Sequence, residues 1–188
     1  MDSTSTELQA ERHCLVRMEQ GDTAAAPSKV GPMTCYRNIA EVISAATRGR
    51  VVLPATTKAG EINEKMLRAA GYDDNTAAAT GSYLIGIDYT EPNFGGSSLT
   101  WTGPVPCYDR YTGATYTVYA DSMPAGWDNV ISSAETFQYC RSTTLYDYTY
   151  QGGMSMVTGC SSPSLSWVDN RASSQSWSRD SYGTSCWF

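Results

Sequence analysis

A hexapeptide that occurs twice is the feature of this sequence that most constrains its fold. Residues 128–133 read Asp-Asn-Val-Ile-Ser-Ser, and residues 169–174 read Asp-Asn-Arg-Ala-Ser-Ser. A tryptophan precedes each copy closely, at Trp127 and Trp167. A pattern that returns along a chain indicates duplication of a whole structural unit. The second half of this chain is therefore predicted to contain two related units.

A second repeated segment lies upstream of each hexapeptide. Residues 89–96 read Tyr-Thr-Glu-Pro-Asn-Phe-Gly-Gly, and residues 145–152 read Leu-Tyr-Asp-Tyr-Thr-Tyr-Gln-Gly. In this alignment Glu91 matches Asp147, because each acid lies three residues before an aromatic that is followed two residues later by glycine. The predicted order is hairpin, hexapeptide, hairpin, hexapeptide. Recurring oxygen-bearing side chains suggest a hard cation, and calcium is the usual one.

The residues from 83 onward have the pattern of a β protein. Tyrosine and threonine, which favour strands, alternate with glycine and serine, which favour turns. Short strands are predicted at 83–89, 98–102, 116–119, 134–139, 143–146, 154–158, near 165 and at 176–177. Eight short strands with glycine-rich turns are typical of a Greek-key sandwich of two sheets.

The N-terminal part has a different pattern. A strand is predicted at 13–19, followed by a loop at 21–32, and a short strand at 51–53. Two helices are predicted, one capped by Asn38 with Glu41 in a capping box, and one over about 61–70. Residues 71–82 are rich in Gly, Asp, Ala and Thr and are predicted to be a linker. The chain is thus divided into a small α/β module, 1–80, and a β domain, 81–188.

Charge and cysteine content limit the classes of function. The net charge of −6 argues against nucleic-acid binding, and no apolar run approaches the length of a membrane span. Six cysteines without a CxxC pair favour three disulfides over a zinc site. Disulfides indicate an oxidising compartment, so we expect a secreted protein. No signal peptide is visible, and residues 1–4 resemble an expression start placed after a removed signal peptide. A cytosolic protein with free thiols is the alternative.

Residues 83–188 resemble a microbial βγ-crystallin domain of the calcium-binding type. The resemblance rests on the two aromatic hairpins, here Phe94-Gly95-Gly96 and Tyr150-Gln151-Gly152, and on the Asn/Asp-Asn/Asp-x-x-Ser/Thr-Ser signature, which both hexapeptides match. It implies a double Greek-key βγ-crystallin-like sandwich, preceded here by the α/β module. A weaker likeness is to secreted actinobacterial proteins, some of which are grouped with metalloprotease inhibitors of crystallin fold.

The resemblance also implies which atoms would hold Ca²⁺. One site would take the carbonyls of Glu91 and Val130, the hydroxyl of Ser132 and, from the other hexapeptide, Asn170. The partner site would take the corresponding atoms of the second unit. They are the carbonyls of Asp147 and Arg171, the hydroxyl of Ser173 and, from the other hexapeptide, Asn129.

Two features of these sequences weaken the expected affinity for calcium. Both crossing residues are Asn, which supplies an oxygen but no charge, and Arg171 places a cation near the second site. Because affinity for calcium rises with ligand charge, we expect weak or moderate binding. The alternative is that the hexapeptides bind no ion, with Asp and Asn capping a turn and Ser-Ser starting a strand.

The duplication also narrows the disulfide pairing. Cys14 and Cys35 are the two cysteines of the N-terminal module and are predicted to pair. Cys107 and Cys160 both lie between a hairpin and a hexapeptide, and Cys140 and Cys186 both follow the strand after a hexapeptide. Equivalent halves predict the pairs Cys107–Cys140 and Cys160–Cys186.

The sequence favours a non-catalytic function. His13 is the single histidine, and no pair of carboxylates stands out for general acid–base chemistry. We therefore predict a secreted calcium-binding protein stabilised by the ion and by disulfides. One alternative is a protease inhibitor or binder that acts through loop 103–114, with Pro106, Tyr108 and Tyr111 in contact with the partner. Another, suggested by the 13 tyrosines and 5 tryptophans, is a module that binds carbohydrate or cell-wall polysaccharide.

Overall fold

The computed structural model describes residues 11–19 and 28–179. Three helices lie in the N-terminal part of this range: α1 Ile39–Ala46, α2 Glu64–Ala69 and α3 Asp74–Thr80. The described strands are β1 His13–Glu19, β2 Lys29–Tyr36, β3 Tyr83–Glu91, β4 Gly95–Gly103, β5 Val118–Ala120, β6 Ser133–Thr136, β7 Ser142–Tyr146, β8 Ser155–Thr158, β9 Ser161–Ser162 and β10 Ser174–Ser178. No helix in the described ranges is long and apolar enough to cross a membrane.

The strands from β3 onward form two interlocked Greek keys. The first sheet contains the order β4-β3-β6-β9, and the second has the order β5-β10-β7-β8. Strands β3 to β6 belong to the first repeat and β7 to β10 to the second, so each repeat contributes its third strand to the sheet of the other. This exchange gives a double Greek-key, βγ-crystallin-like sandwich, and the predicted fold class is confirmed.

The N-terminal strands extend the first sheet. Strand β1 pairs in parallel with β4, and β2 pairs antiparallel with β1, which gives a six-stranded sheet with β2 at its edge. Cys14 lies directly opposite Cys35 in this pairing and forms the predicted disulfide with it. Strand β2 begins at Lys29, so the loop predicted to run to residue 32 is wrong in its last part. Residues 21–27 of that loop lie outside the described ranges.

The first sheet is buried on both faces. One face packs against the second sheet in a core that contains Trp101, Trp127 and Trp177. The other face is covered by the helical part of the chain, with Leu84 and Ile87 of β3 in that second core. Because β3 contributes to both cores, its residues from Leu84 to Tyr89 are all buried and do not alternate with polar ones.

The predicted linker at 71–82 is wrong, because most of it is helix α3. The carboxylate of Asp73 accepts a hydrogen bond from the backbone N–H of Thr76 at 2.8 Å, which caps the start of the helix. An alanine run follows, and Gly81 ends the helix in the left-handed conformation, with φ of 57°. The division into two domains was placed in this linker. The domain division stays a prediction. Strand β1 of the N-terminal part is hydrogen-bonded to β4 of the C-terminal part.

The other N-terminal helices were predicted with different accuracy. Helix α1 is confirmed, and Asn38 caps it as predicted, since the N–H of Glu41 donates to Asn38 Oδ1 at 3.0 Å. The capping box is incomplete, because the Glu41 carboxylate accepts from the N–H of Arg37. The second helix is shorter than predicted, because Asn63 caps α2 and the residues Ala59–Glu61 form a separate 3-10 turn. Residues 51–53 are not a strand, so that prediction is wrong; Val51 is nevertheless buried.

Two strands of the sandwich also differ from prediction. Strand β6 ends at Thr136, because Gln138 and Tyr139 have positive φ angles of 50° and 61° and turn the chain. The segment near residue 165 is a 3-10 turn, Ser166–Val168, and the exchanged strand β9 lies before it.

Two crossed hexapeptide loops as a candidate metal centre

The two hexapeptide loops are hydrogen-bonded to each other around an approximate twofold axis. The N–H of Asn129 donates to the carbonyl of Ala172 at 3.0 Å, and the N–H of Asn170 donates to the carbonyl of Ile131 at 2.9 Å. Each of the two bonds joins the second position of one hexapeptide to the fourth position of the other. Both asparagines have left-handed backbones, with φ of 58° and 55°. Each asparagine is therefore held beside the loop of the other repeat, as the predicted cross-over requires.

The last serine of each hexapeptide holds the hairpin of its own repeat closed. Ser133 Oγ donates to the Glu91 carbonyl at 2.7 Å and accepts from the Phe94 N–H at 3.0 Å. Ser174 Oγ donates to the Tyr148 carbonyl at 2.6 Å and accepts from the Gln151 N–H at 3.1 Å. These two serines are structural, and the prediction from sequence placed only their neighbours, Ser132 and Ser173, among the calcium ligands.

The preceding serine of each hexapeptide has a free hydroxyl. Ser132 and Ser173 are only 3% and 8% exposed, and their N–H groups donate to the carbonyls of Tyr89 and Tyr146, both at 2.8 Å. Within the described ranges neither hydroxyl has a hydrogen-bond partner. The carbonyls of Val130 and Arg171 likewise accept no hydrogen bond from a described residue. Hydroxyls of nearly buried serines that have no protein partner are available to a ligand.

The two hairpins align one residue away from the predicted alignment. Tyr89 pairs with Ser98 and Ser133, and Tyr146 pairs with Ser155 and Ser174. Tyr146 is thus the counterpart of Tyr89. The residue equivalent to Glu91 is then Tyr148, and Asp147 is equivalent to Thr90. The sequence alignment matched the aromatics Phe94 and Tyr150, whereas the backbone places Gln151 at the position of Phe94.

Asp147 has a structural contact that explains its presence in the second hairpin. Its Oδ1 accepts from the N–H of Met154 at 2.7 Å, and Thr90 Oγ1 accepts from the N–H of Ser97 at 3.0 Å in the same way. Asp147 also forms an ion pair with Arg171, with Nη2 and Oδ2 separated by 3.4 Å. The carboxylate therefore closes the hairpin and neutralises the arginine of the second hexapeptide.

Three of the four predicted ligand residues of the first site line one depression at the surface. Glu91, Val130 and Asn170 all line it, and Ser132 lies nearly buried two residues after Val130. No group of three or more His, Cys, Asp or Glu side chains in the described ranges could hold a metal ion. A cation at either loop would depend on carbonyl, hydroxyl and amide oxygens. Calcium accepts all three kinds of donor, so the residues present fit calcium without supplying charge.

Loop 103–114 of the first repeat is fixed to the rest of the molecule. Cys107 forms the predicted disulfide with Cys140. Arg110 Nη1 lies 3.1 Å from Asp74 Oδ2, and the hydroxyl of Tyr111 donates to Asn75 Oδ1 in α3. Pro106 is buried, so it cannot contact a partner as predicted.

The remaining predicted contact residues of this loop differ in exposure. Tyr108 packs edge-on against Tyr139, with ring centroids 6.0 Å apart, whereas Tyr111 is 64% exposed. Only Tyr111 of the three is therefore well placed to meet another molecule.

The third disulfide is described in part. Cys160 is disulfide-bonded. Its predicted partner, Cys186, lies outside the described ranges. His13 is buried, with Nδ1 2.9 Å from Ser98 Oγ, and burial lowers its pKa.

Comparison with known proteins finds solved structures but no other match. No family model matches the chain, and no curated protein matches it. A βγ-crystallin from an archaeon is 23% identical over 50% of this chain and 95% of its own, with a TM-score of 0.35. A βγ-crystallin domain from Flavobacterium johnsoniae is 19% identical over 54% of this chain and 99% of its own, with a TM-score of 0.36.

A third solved structure is a βγ-crystallin domain from Clostridium beijerinckii. It is 11% identical over 51% of this chain and 99% of its own, with a TM-score of 0.37. All three likenesses concern about half of the chain and its fold alone. The exchanged strand order of this chain independently identifies residues 83–179 as a βγ-crystallin-like double Greek key.

Proposed function

We propose that this chain is a non-catalytic, extracellular calcium-binding protein of crystallin type. The observation that carries the proposal is the pair of nearly buried serines, Ser132 and Ser173. Their hydroxyls have no partner among the described residues, whereas those of Ser133 and Ser174 both donate and accept a hydrogen bond. Disulfides and the acidic net charge of −6 are compatible with this function.

The first site would use the four oxygens predicted from the resemblance. They are the carbonyls of Glu91 and Val130, the hydroxyl of Ser132 and the amide oxygen of Asn170. The Glu91 carbonyl already accepts from Ser133, but a carbonyl oxygen has a second lone pair.

The second site would use Tyr148 in place of Asp147. The carbonyl of Tyr148 occupies the position of the Glu91 carbonyl, since each accepts from the last serine of its hexapeptide. The other three ligands would be the Arg171 carbonyl, the Ser173 hydroxyl and Asn129. Neither set contains a carboxylate, so we expect weak to moderate affinity.

Bound calcium would stabilise the crossed loops. The ion binds the folded chain, in which the ligands are assembled, and it therefore raises stability by mass action. At a calcium concentration 100 times the Kd the gain is about 2.7 kcal/mol for one site.

Calorimetric titration of calcium into metal-free protein, with thermal unfolding in parallel, tests the proposal. Ser132→Ala should remove binding at the first site and Ser173→Ala at the second, with little loss of stability in the absence of calcium, because neither hydroxyl has a partner to lose. Ser133→Ala is the matched control: it should destabilise the metal-free protein while leaving the Ser132 hydroxyl in place. Absence of binding heat together with an unchanged melting temperature in millimolar calcium would contradict the proposal.

A second candidate function is binding of an extracellular protease or another protein through loop 103–114. The observation that favours it is the fixed backbone of this loop together with the exposed ring of Tyr111. A segment held in one conformation loses little entropy on binding. Tyr111→Ala should weaken capture of such a partner, with Thr112→Ala as the neighbouring control, and equal capture by both variants would contradict this function.

A further inference from the structure

The depression beside the first hexapeptide loop contains an arginine that has no ion-pair partner among the described residues. Arg12, Glu11 and Thr90 line the depression together with Glu91, Val130 and Asn170. Arg12 comes from the segment immediately before β1, outside both crystallin-like repeats. In the described part of the chain, Arg12 forms no salt bridge.

Arg12 is held in a defined position. Its N–H donates to Ser97 Oγ at 2.9 Å, and its carbonyl accepts from the N–H of Ser98 at 2.9 Å. Its guanidinium lies 5.8 Å from the ring centroid of Trp127 and passes over Gly126, where a Cβ would lie 3.6 Å from Nη2. A guanidinium fixed against an aromatic ring can present its N–H groups to a planar anion without losing further side-chain freedom.

The second repeat also places an arginine against a tryptophan, at the positions of Val130 and Gly126 in the first repeat, and there the arginine is neutralised. The guanidinium of Arg171 lies 5.9 Å from the ring centroid of Trp167 and pairs with Asp147. Asp147 is equivalent to Thr90, as the hairpin alignment shows. In the second repeat, a carboxylate of the same protein thus forms an ion pair with the arginine. In the first, a threonine stands at that position and Arg12 remains available.

Calcium at the first site would change the sign of charge around the depression. Arg12 contributes one positive charge and Glu11 and Glu91 contribute two negative charges, so the lining carries a net charge of −1. The divalent ion makes it +1. Its four protein ligands are all neutral, whereas calcium takes six to eight oxygens, so coordination positions would remain for an external ligand.

We propose that this depression binds the carboxylate or phosphate group of an anionic ligand when calcium fills the first site, with Arg12 as the hydrogen-bond donor. The inference rests on the calcium sites of the proposed function. A carboxylate and a phosphate each present two oxygens that a guanidinium binds with two parallel N–H donors. The charge of the lining without calcium disfavours the anion, so binding depends on the ion.

The test is an NMR titration of the full-length, ¹⁵N-labelled protein, with calcium occupancy measured on the same sample. Galacturonate supplies a carboxylate and glycerol 3-phosphate a phosphate, and galactose and glycerol are the neutral controls. Both anions, or only one of them, should bind at saturating calcium. If one binds, it identifies the chemical source of the ligand. The neutral compounds should not bind, and removal of calcium should weaken anion binding by at least about tenfold.

Three variants separate the role of Arg12 from calcium binding. Arg12→Gln should weaken anion binding by at least about tenfold. Thr90→Asp reproduces the second repeat, so it should occupy Arg12 internally and abolish anion binding while calcium still binds. Arg50→Gln, at an exposed arginine after α1, is the control and should leave anion binding unchanged.

The outcomes distinguish the two proposals. If calcium does not bind the wild-type protein, the proposed function and this inference both fail. If calcium binds but neither anion does, only the inference fails. Equal anion binding by Arg12→Gln and wild type, or equal binding with and without calcium, also overturns the inference.

Discussion

The two crystallin-like repeats keep the same hydrogen bonds but use different side chains around them. Both close their hairpins through the last serine of the hexapeptide and exchange one backbone bond across the twofold axis. Their counterparts differ inside the sandwich, where Asp88 of β3 corresponds to Leu145 of β7. They differ also at the surface, where the first repeat alone contains loop 103–114. Backbone geometry has thus been retained while side-chain chemistry has diverged.

The largest effect is expected from the disulfide that fixes the longer loop of the first repeat. Cys107→Ala combined with Cys140→Ala should lower the free energy of unfolding by about 2–5 kcal/mol, since the cross-link limits the unfolded chain. Chemical denaturation of the double variant measures this loss. If the calcium affinity of the double variant equalled that of the wild type, the disulfide of the loop would not contribute to calcium binding at the hexapeptides. A loss below about 1 kcal/mol would show that the loop is held by its other contacts.

The buried acid of the first repeat should make stability depend on pH. Asp88 is 1% exposed, and Oδ2 accepts from Trp101 Nε1 at 2.6 Å. Burial raises its pKa from the ordinary value of 3.8 to about 7, despite the hydrogen bond from Trp101. The folded chain then binds more protons than the unfolded chain between about pH 4 and 7. The stabilisation that Asp88 contributes is therefore fully present below about pH 4 and is lost as the pH rises to about 7.

Asp88→Leu, which copies Leu145 of the second repeat, tests this difference between the repeats. At 1.36 kcal/mol per pKa unit, the stability that Asp88 loses over this range is at most about 4 kcal/mol. The melting temperature of the variant should depend much less on pH between pH 4 and 8 than that of the wild type. Burial also raises the pKa of Glu135 to about 7, so Glu135→Gln is the companion variant and should remove a further part of this pH dependence. A pH dependence that both variants retain would contradict the assignment.

A smaller effect is expected where the repeats agree. Ser133→Ala and Ser174→Ala each remove one donor and one acceptor from a hairpin and should destabilise by about 1–3 kcal/mol. If the repeats are equivalent in energy as well as geometry, the two losses should match within about 0.5 kcal/mol. Denaturation midpoints in metal-free buffer give both values, and a clear inequality would show that one hairpin has alternative support.

The sequence predicted the features that depend on local pattern and on duplication. The alternating pattern of residues predicted the sandwich, and the cap at Asn38 predicted the position of α1. The position of the cysteines in the N-terminal module and in the repeats predicted the pairs Cys14–Cys35 and Cys107–Cys140. Helix α3 was missed because its polar composition outweighed the cap at Asp73 and the alanine run.

The features that escaped prediction depend on contacts between distant residues. The hairpin alignment was shifted because matching aromatics carried more weight than the strand pairing, which only the fold reveals. Arg12 was missed for the same reason: nothing near it in the sequence indicates that it reaches Trp127. The buried position of Pro106 depends on how the loop packs, which composition does not specify.

The parallel pairing of β1 with β4 also bears on self-association. In the described sheet, β4 would be an edge strand without β1, and an uncovered edge can pair with a second molecule. The N-terminal hairpin transfers that edge to β2, and the helices cover the apolar outer face of the same sheet. We therefore expect a fragment of residues 81–188 to aggregate or dimerise more readily than the full chain. Light scattering of the fragment and of the full chain at equal concentration would decide whether the crystallin-like half can exist alone.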